Sequence, residues 1–265
     1  MSIEKVLEMA LGEILSNYTY LFILILIRFV GLFLITPIFS SRVIPNRVKL
    51  GLSFMMAIIS MPLLVGTHGM PASDYLILME VLSELLIGLM IGFIVLLTFT
   101  AIQLAGHFID MRMGFAIVNV TDPIHGYTMP LMGQFKNILA ILLFLAVNGH
   151  HILIRSIHHS FRIIPPGNAS LNNKIFEIIF RYSADIFILA LRIALPVFAT
   201  LVIADVILGF LARTIPQLNI FVVGLPLKIL VGFIILFVTI NFSFMFIEEL
   251  FRDTFKYISN ILDLF

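Results

Sequence analysis

Cysteine is absent from this sequence and charged residues are scarce, making up 12% of the chain. Without cysteine the chain forms neither disulfides nor thiolate metal sites. Soluble domains contain about 25% charged residues, so a charge content this low excludes an ordinary water-soluble domain. The formal net charge of +1 excludes the clustered basic surface that a nucleic-acid-binding protein needs. Lipid and apolar protein surfaces remain as partners.

Apolar residues dominate what is present. They make up 61% of the 265 residues, and the mean hydropathy is +1.14. This composition predicts an all-α, multi-pass integral membrane protein. Turns divide the chain but no low-complexity linker does, so we expect a single membrane domain over residues 1–265.

The apolar residues fall into long runs separated by prolines, glycines and short polar turns. The first 17 residues predict a short amphipathic helix at an interface. If every later run crossed the membrane once, Lys and Arg would be almost equally numerous on the two sides, so the positive-inside rule selects no orientation. Helical hairpins with broken and amphipathic helices fit this pattern better than a conventional bundle. The runs begin near Tyr18, Leu50, Leu85, Ile138, Ile186 and Ile229.

Two charges lie alone inside apolar runs. Arg28 is the only charged residue between Tyr18 and Thr36, and it needs a partner if that segment enters the membrane. A structural ion pair and a residue facing a polar pathway are both open readings. Asp205 is isolated in the run from Ile186, where Arg213 two turns later is one possible partner.

A stripe of polar and small residues recurs every four positions in the run before Leu104. On a helix these residues share one face, and a small-xxx-small spacing lets another helix approach closely. The stripe is therefore a candidate interface, with a helix of the same chain or with another subunit. Its members are Glu80, Glu84, Gly88 and Gly92.

The longest polar interruption between apolar segments runs from His107 to Asn137. Glycines relax its backbone and prolines remove amide donors, so it is not an ordinary transmembrane helix. Irregular backbone at such a place lines a cavity or packs against protein. We therefore expect the loop to line or close a passage, or else to fold over the helix ends. The residues that suggest this are Gly114, Phe115, Asp122, Pro123, Gly126 and Pro130.

Methionines and charges flank this loop. Flexible, polarizable methionine side chains can repack around a passing chain, which makes Met111, Met113, Met129 and Met132 candidates for a seal. Asp110 and Arg112, with Asp122, are candidates for a latch or for the base of the loop. Four histidines between residues 150 and 159 lie on a basic amphipathic helix, but no carboxylate completes a metal site there, so we expect no metal and no cofactor.

Four motifs distributed over nearly the whole chain resemble the FliR family of type III secretion export-gate subunits. Gly149-His150-His151 and Gly224 favour the flagellar branch of that family over the virulence branch. The motifs are SSRVIPNRVKLGL (Ser40–Leu52), DPIHGYTMPLMGQF (Asp122–Phe135), NGHHILIRSIHHSF (Asn148–Phe161) and PQLNIFVVGLPLKI (Pro216–Ile229).

The resemblance implies a non-enzymatic subunit of the bacterial flagellar export gate. Such subunits stack as hairpins with FliP and FliQ into a right-handed helical pore for unfolded flagellar proteins, and they contact FlhB. The resemblance also implies a place in the bacterial inner membrane, within the flagellar basal body. In that picture the loop from Gly114 to Pro130 is a pore plug.

Two alternatives stay open beside the flagellar export gate. One is the counterpart subunit of a virulence type III secretion system. The other is a proton-coupled secondary transporter, which Arg28, Glu80, Glu84 and Asp205 suggest, although the sequence has no paired inverted halves. A membrane enzyme has less support, because the sequence contains no recognisable catalytic motif.

Overall fold

The computed structural model describes residues 3–41, 43–66, 71, 73–115, 130–169, 172–215, 217 and 219–265. The described residues form α-helices joined by turns and contain no strand. The helices are α1 (Ile3–Ile35), α2 (Pro37–Ser40), α3 (Asn46–Ser60), α4 (Asp74–Met113), α5 (Leu131–Ala146), α6 (Gly149–Ile163), α7 (Asn173–Thr214), α8 (Ile220–Val238) and α9 (Ile240–Leu262), with a 3₁₀ turn at Met61–Leu63.

The chain packs as two compact units. The first consists of Met1–Leu96, His150–Phe180 and Thr254–Phe265, and the second of Leu97–Gly149 and Arg181–Asp253. The prediction of a single domain stays a prediction.

Aromatic and aliphatic side chains of α1 form the centre of the first unit. Phe29 is fully buried and its ring lies 6.0 Å from the ring of Phe161 and 6.0 Å from that of His158 on α6. The buried residues of α6 recur at helical spacing, and the basic residues Arg155 and Arg162 remain exposed. The first unit therefore buries the apolar face of α6 and leaves its basic face outside.

Three phenylalanines from three helices form the centre of the second unit. Phe99 of α4, Phe144 of α5 and Phe251 of α9 have ring centroids 5.1–5.8 Å apart and are almost completely buried. Rings at this distance and in tilted or edge orientations stabilise a core beyond their buried area. This cluster fixes α5 against the second half of α4.

Two helices run through positions where the sequence suggests separate segments. The predicted amphipathic helix of the first 17 residues and the apolar run from Tyr18 form one helix, because neither proline nor a turn sequence interrupts α1. Helix α8 begins at Ile220 and continues through Pro226. Helix α1 ends at Ile35, shortly before Pro37.

Several helices are long and apolar enough to cross a membrane. Leu15–Ile35, Asp74–Met113 and Asn173–Thr214 qualify alone, and two bent helix pairs raise the number of spans to as many as 5 within the described part of the chain. The pairs are Leu131–Ala146 with Gly149–Ile163 and Val222–Val238 with Ile240–Leu262. With 15 residues, α3 is too short to qualify. The predicted fold class is confirmed: the chain is an all-α, multi-pass membrane protein with broken helices.

Candidate functional site at the base of the 114–130 loop

The loop that the sequence singled out leaves α4 at Met113 and returns to α5 at Leu131. Gly114 has a φ of 90°, a left-handed conformation that glycine adopts without strain. The amides of Gly114 and Phe115 both donate to the carbonyl of Asp110 at 3.1 Å, which closes the end of α4. Asp122, Pro123, Gly126 and Met129 lie outside the described residues, so the structure defines the base of the loop.

Asp110 joins the two ends of this loop. It is 2% exposed, and both of its carboxylate oxygens accept the backbone amide of Met132 at 3.0 Å. The amide of Gly133 donates to the same carboxylate at 3.3 Å. The first amides of a helix have no partner inside it and carry partial positive charge, so a carboxylate satisfies them well. Asp110 of α4 therefore caps the start of α5 and holds the loop closed at its base.

Glycines bring the two helices close enough for this contact. A Cβ atom on Gly106 would overlap the backbone of Gly133, and one on Gly133 would lie 3.2 Å from the Cβ of Pro130. The α4 and α5 backbones therefore touch beside Pro130. Side chains at these positions would push Asp110 away from the amides that it caps.

A second ion cluster lies near the end of α4. Lys228 of α8 pairs with Asp205 of α7, and the Arg112 guanidinium approaches the same carboxylate at 3.9 Å. The Arg112 side chain also lies over the ring of Phe198, 4.4 Å from its centre. The sequence offered Arg213 as the partner of Asp205, and the structure places Lys228 and Arg112 there. The spacing of Asp205 and Arg213 along α7 suggested the wrong partner, because Lys228 of α8 and Arg112 of α4 lie at the carboxylate.

The methionines that flank the loop occupy different environments. Met113 and Met132 are buried, whereas Met111 is exposed. The Met113 side chain fills the space above Gly232, where a Cβ would lie 2.7 Å from its terminal carbon. Phe115 also approaches α8, with its ring 6.4 Å from that of Phe233. Helix α8 thus packs against the residues at the start of the loop. A sealing role for the methionines stays a prediction.

Arg28 and Glu84 form an ion pair within the first unit, with both side chains fully buried. The guanidinium makes two hydrogen bonds to the Glu84 carboxylate, at 2.5 and 2.9 Å. It also donates to the hydroxyl of Ser160 and the carbonyl of Ile164, and it lies over the ring of Phe161. Arg28 is therefore a structural ion-pair residue that ties α1 to α4 and α6.

The rest of the predicted stripe on α4 also faces α1. The Tyr20 hydroxyl donates to the Glu80 carboxylate at 2.7 Å. A Cβ on Gly88 would overlap the backbone of Arg28, and one on Gly92 would overlap Ile35. The two helices therefore pack at backbone distance along this stripe. The neighbour here is a helix of the same chain, and a subunit interface at the stripe stays a prediction.

Several contacts in the structure could not be predicted from the local sequence. The amide of Gly167 donates to Glu84 at 3.0 Å, and the Ser60 hydroxyl lies 3.0 Å from the His158 ring. Lys136 on α5, which the sequence analysis did not single out, is also buried. Among the residues that the structure describes, no group of three His, Asp or Glu side chains is arranged to hold a metal ion.

Comparison with known proteins places these features in a family. The family described as "Bacterial export proteins, family 1" matches residues 19–254. The flagellar biosynthetic protein FliR of Bacillus subtilis is 38% identical over 246 residues, which cover 92% of this chain and 95% of the relative. FliR of Escherichia coli is 34% identical and covers 89% of this chain and 90% of its own length. FliR of Aquifex aeolicus is 30% identical, covering 86% and 88%. The chain therefore belongs to the FliR family of bacterial export proteins.

Proposed function

We propose that this chain is an export-gate subunit of the flagellar type III secretion apparatus. Family membership makes it a component of the flagellar export apparatus. The finer proposal is that it forms, with FliP and FliQ, a right-handed helical channel through which unfolded flagellar proteins leave the cell. Its place is the bacterial inner membrane, in the flagellar basal body, where it contacts an FlhB-like subunit. Residues 1–265 act as one membrane domain without enzymatic activity.

Large apolar side chains on the exposed faces of the membrane helices support an assembled state. Phe180, Phe237 and Met245 are each more than 70% exposed in the isolated chain. In a membrane protein such side chains face lipid or neighbouring subunits. The family resemblance makes FliP-, FliQ- and FlhB-like subunits the partners that this surface accepts.

The closed base of the loop is the observation that carries the gate proposal. Asp110 binds the first amides of α5, so both ends of residues 114–130 are fixed to each other. A segment held at its base can be displaced as a unit without unfolding the helices on either side. We assign to Gly114–Pro130 the role of a plug, with Asp110 and Arg112 holding its base and the flanking methionines sealing around it.

Replacing residues 117–128 tests the plug. One variant deletes them, and a matched variant replaces them by a Gly/Ser linker of the same length. Both retain Asp110, Met132 and the loop base. We expect the gate, co-expressed with its partner subunits, to assemble in both cases and to conduct ions in planar bilayers, since the sealing side chains are gone. Unchanged conductance in both variants, with normal assembly, would contradict the plug.

Two of the four charges that suggested a transporter are enclosed in the first unit. Arg28 and Glu84 are enclosed and hydrogen-bonded to each other, which leaves no open site for a solute or a moving proton. The flagellar branch is supported over the virulence branch by the names of the relatives above. Solute uptake by the purified chain alone in liposomes would contradict the export-gate proposal.

A further inference from the structure

Lys136 is a buried cation without a buried anion. It lies on α5 in the second unit and is 3% exposed. Its ammonium donates one hydrogen bond, to the hydroxyl of Ser243 on α9 at 3.0 Å. Within the described part of the chain, no carboxylate forms an ion pair with it. An ammonium offers three donors, so its charge and most of its hydrogen-bonding capacity are unmet.

A cavity of about 530 Å³ is lined in part by Lys136 and Ser243, between α5 and the bend where α8 meets α9. We call it the Lys136 cavity. Among the described residues that line it, Lys136 and Ser243 supply the only polar side chains. Leu131 and Phe237 at its rim are more than half exposed, so the cavity opens to the surroundings of the protein. Its volume lies within the roughly 300–1,000 Å³ of ordinary ligand sites.

The charge and the walls together define the ligand. An uncompensated buried ammonium costs several kcal/mol in a medium of low polarity, and an anion placed beside it removes most of that cost. The walls offer only hydrocarbon and aromatic surface to the rest of the ligand. A molecule that satisfies both requirements has an anionic head and an aliphatic body.

The size of the cavity favours a lipid over a partner helix. An α-helix is about 10–12 Å across and rises about 5.4 Å per turn, so a cavity of about 530 Å³ has room for only about one turn. An acyl chain is much thinner and can lie along the apolar walls. Basic pockets between transmembrane helices are a recurrent type of site for anionic lipid headgroups.

We propose that the Lys136 cavity binds an anionic phospholipid, with the phosphate on the Lys136 ammonium and an acyl chain along Phe135, Leu139 and Phe233. Ser243 keeps the ammonium directed toward the phosphate by accepting its hydrogen bond. The cavity adjoins the loop base, because Leu131 and Met132 belong to its lining. The inference goes beyond the proposed export role because the purified chain alone binds the lipid.

Native mass spectrometry of the purified full chain tests the proposal. The delipidated protein is titrated with phosphatidylglycerol and with phosphatidylcholine of identical acyl chains. We expect phosphatidylglycerol to bind more tightly, and Lys136→Met to weaken its binding about tenfold, the effect of losing one charge-assisted hydrogen bond. Lys136→Arg should retain the preference, and Lys174→Met, which removes an exposed lysine in the first unit, should leave it unchanged.

A second variant addresses the walls. Leu236→Trp places a larger side chain in the cavity but keeps Lys136, and we expect it to weaken lipid binding. Equal binding of the two lipids, or equal binding to wild type and Lys136→Met, would overturn the proposal. So would an unchanged lipid preference together with loss of co-purifying FliP- or FliQ-like subunits in Lys136→Met, since that result identifies a protein carboxylate as the partner. Circular dichroism and gel filtration establish that each variant is folded.

Discussion

Each of the two compact units contains an ion pair between a carboxylate and basic residues of another helix, and the two sites differ in how deeply they are buried. In the first unit, Arg28 and Glu84 are both 0% exposed, and Ser160 and the Gly167 amide make further hydrogen bonds to them. In the second unit, Asp205, Lys228 and Arg112 are 24–41% exposed, and one anion serves two cations. The first site is sealed and balanced in charge, whereas the second is open and carries one excess positive charge.

This difference predicts different energetic roles. Removing one member of a buried pair leaves a charge that nothing compensates, which typically costs about 3–5 kcal/mol. Partly exposed pairs contribute about 0–1 kcal/mol where water and salt screen them. The Arg28 pair therefore fixes the packing of its unit, whereas the Asp205 cluster can separate and re-form at little cost beside the loop base.

The largest expected effect comes from Glu84→Gln. The variant leaves Arg28 buried without its counter-charge, and we expect the free energy of unfolding in detergent micelles to fall by about 3–5 kcal/mol. Glu177→Gln removes the same charge from an exposed position on α7 and should change stability by less than about 0.5 kcal/mol. Similar denaturation curves for the two variants would show that the buried pair is not what holds the first unit.

Alanine substitutions at two glycines, one near each ion pair, should change stability by an intermediate amount. Gly88 follows Glu84 by one helical turn, and Gly209 follows Asp205 by one turn. A Cβ on Gly88 would overlap Arg28, whereas one on Gly209 meets nothing within 4 Å. We expect Gly88→Ala to lower stability by about 1–3 kcal/mol through overpacking. Gly209→Ala should raise stability by up to about 1 kcal/mol, because alanine favours the helix. Thermal unfolding followed by circular dichroism measures both, and shifts of the same sign would contradict the packing argument.

The smallest effect is expected for Asp205→Asn. The carboxylate is partly exposed, so its loss should lower stability by about 1 kcal/mol or less. The loss should also shrink at high salt, since salt already screens the pair. Melting temperatures of wild type and variant at low and high salt measure this. A shift as large as that of Glu84→Gln, or one that salt does not change, would remove the distinction between the two sites.

The sequence was enough to predict that Arg28 has a partner, because an isolated charge in a buried apolar run must be compensated. It also predicted that Gly88 and Gly92 admit a close neighbour. The identity of the neighbour depends on how α1 and α4 align, and Arg28 and Glu84 are 56 residues apart. Spacing along one helix carries no information about that alignment.

The same limit explains the wrong partner for Asp205. Arg213 shares its helix and was suggested by local spacing, but Lys228 and Arg112 come from α8 and α4. Likewise, Asp110 looked like a candidate latch because it precedes the loop. That it caps α5 follows only from the approach of α4 to α5 at Gly106 and Gly133. Contacts between distant segments decided both cases.

The hydrogen bond from the Gly167 amide to Glu84 has a consequence for time scales. Gly167 belongs to the turn after α6, where φ is 83° and the backbone is partly accessible. Its amide donates to a carboxylate that is itself paired with Arg28. The amide proton therefore exchanges with deuterated water only when its hydrogen bond to Glu84 breaks. The exchange rate at this one surface glycine thus measures how often, in seconds or hours, the most deeply buried charge of the first unit meets water.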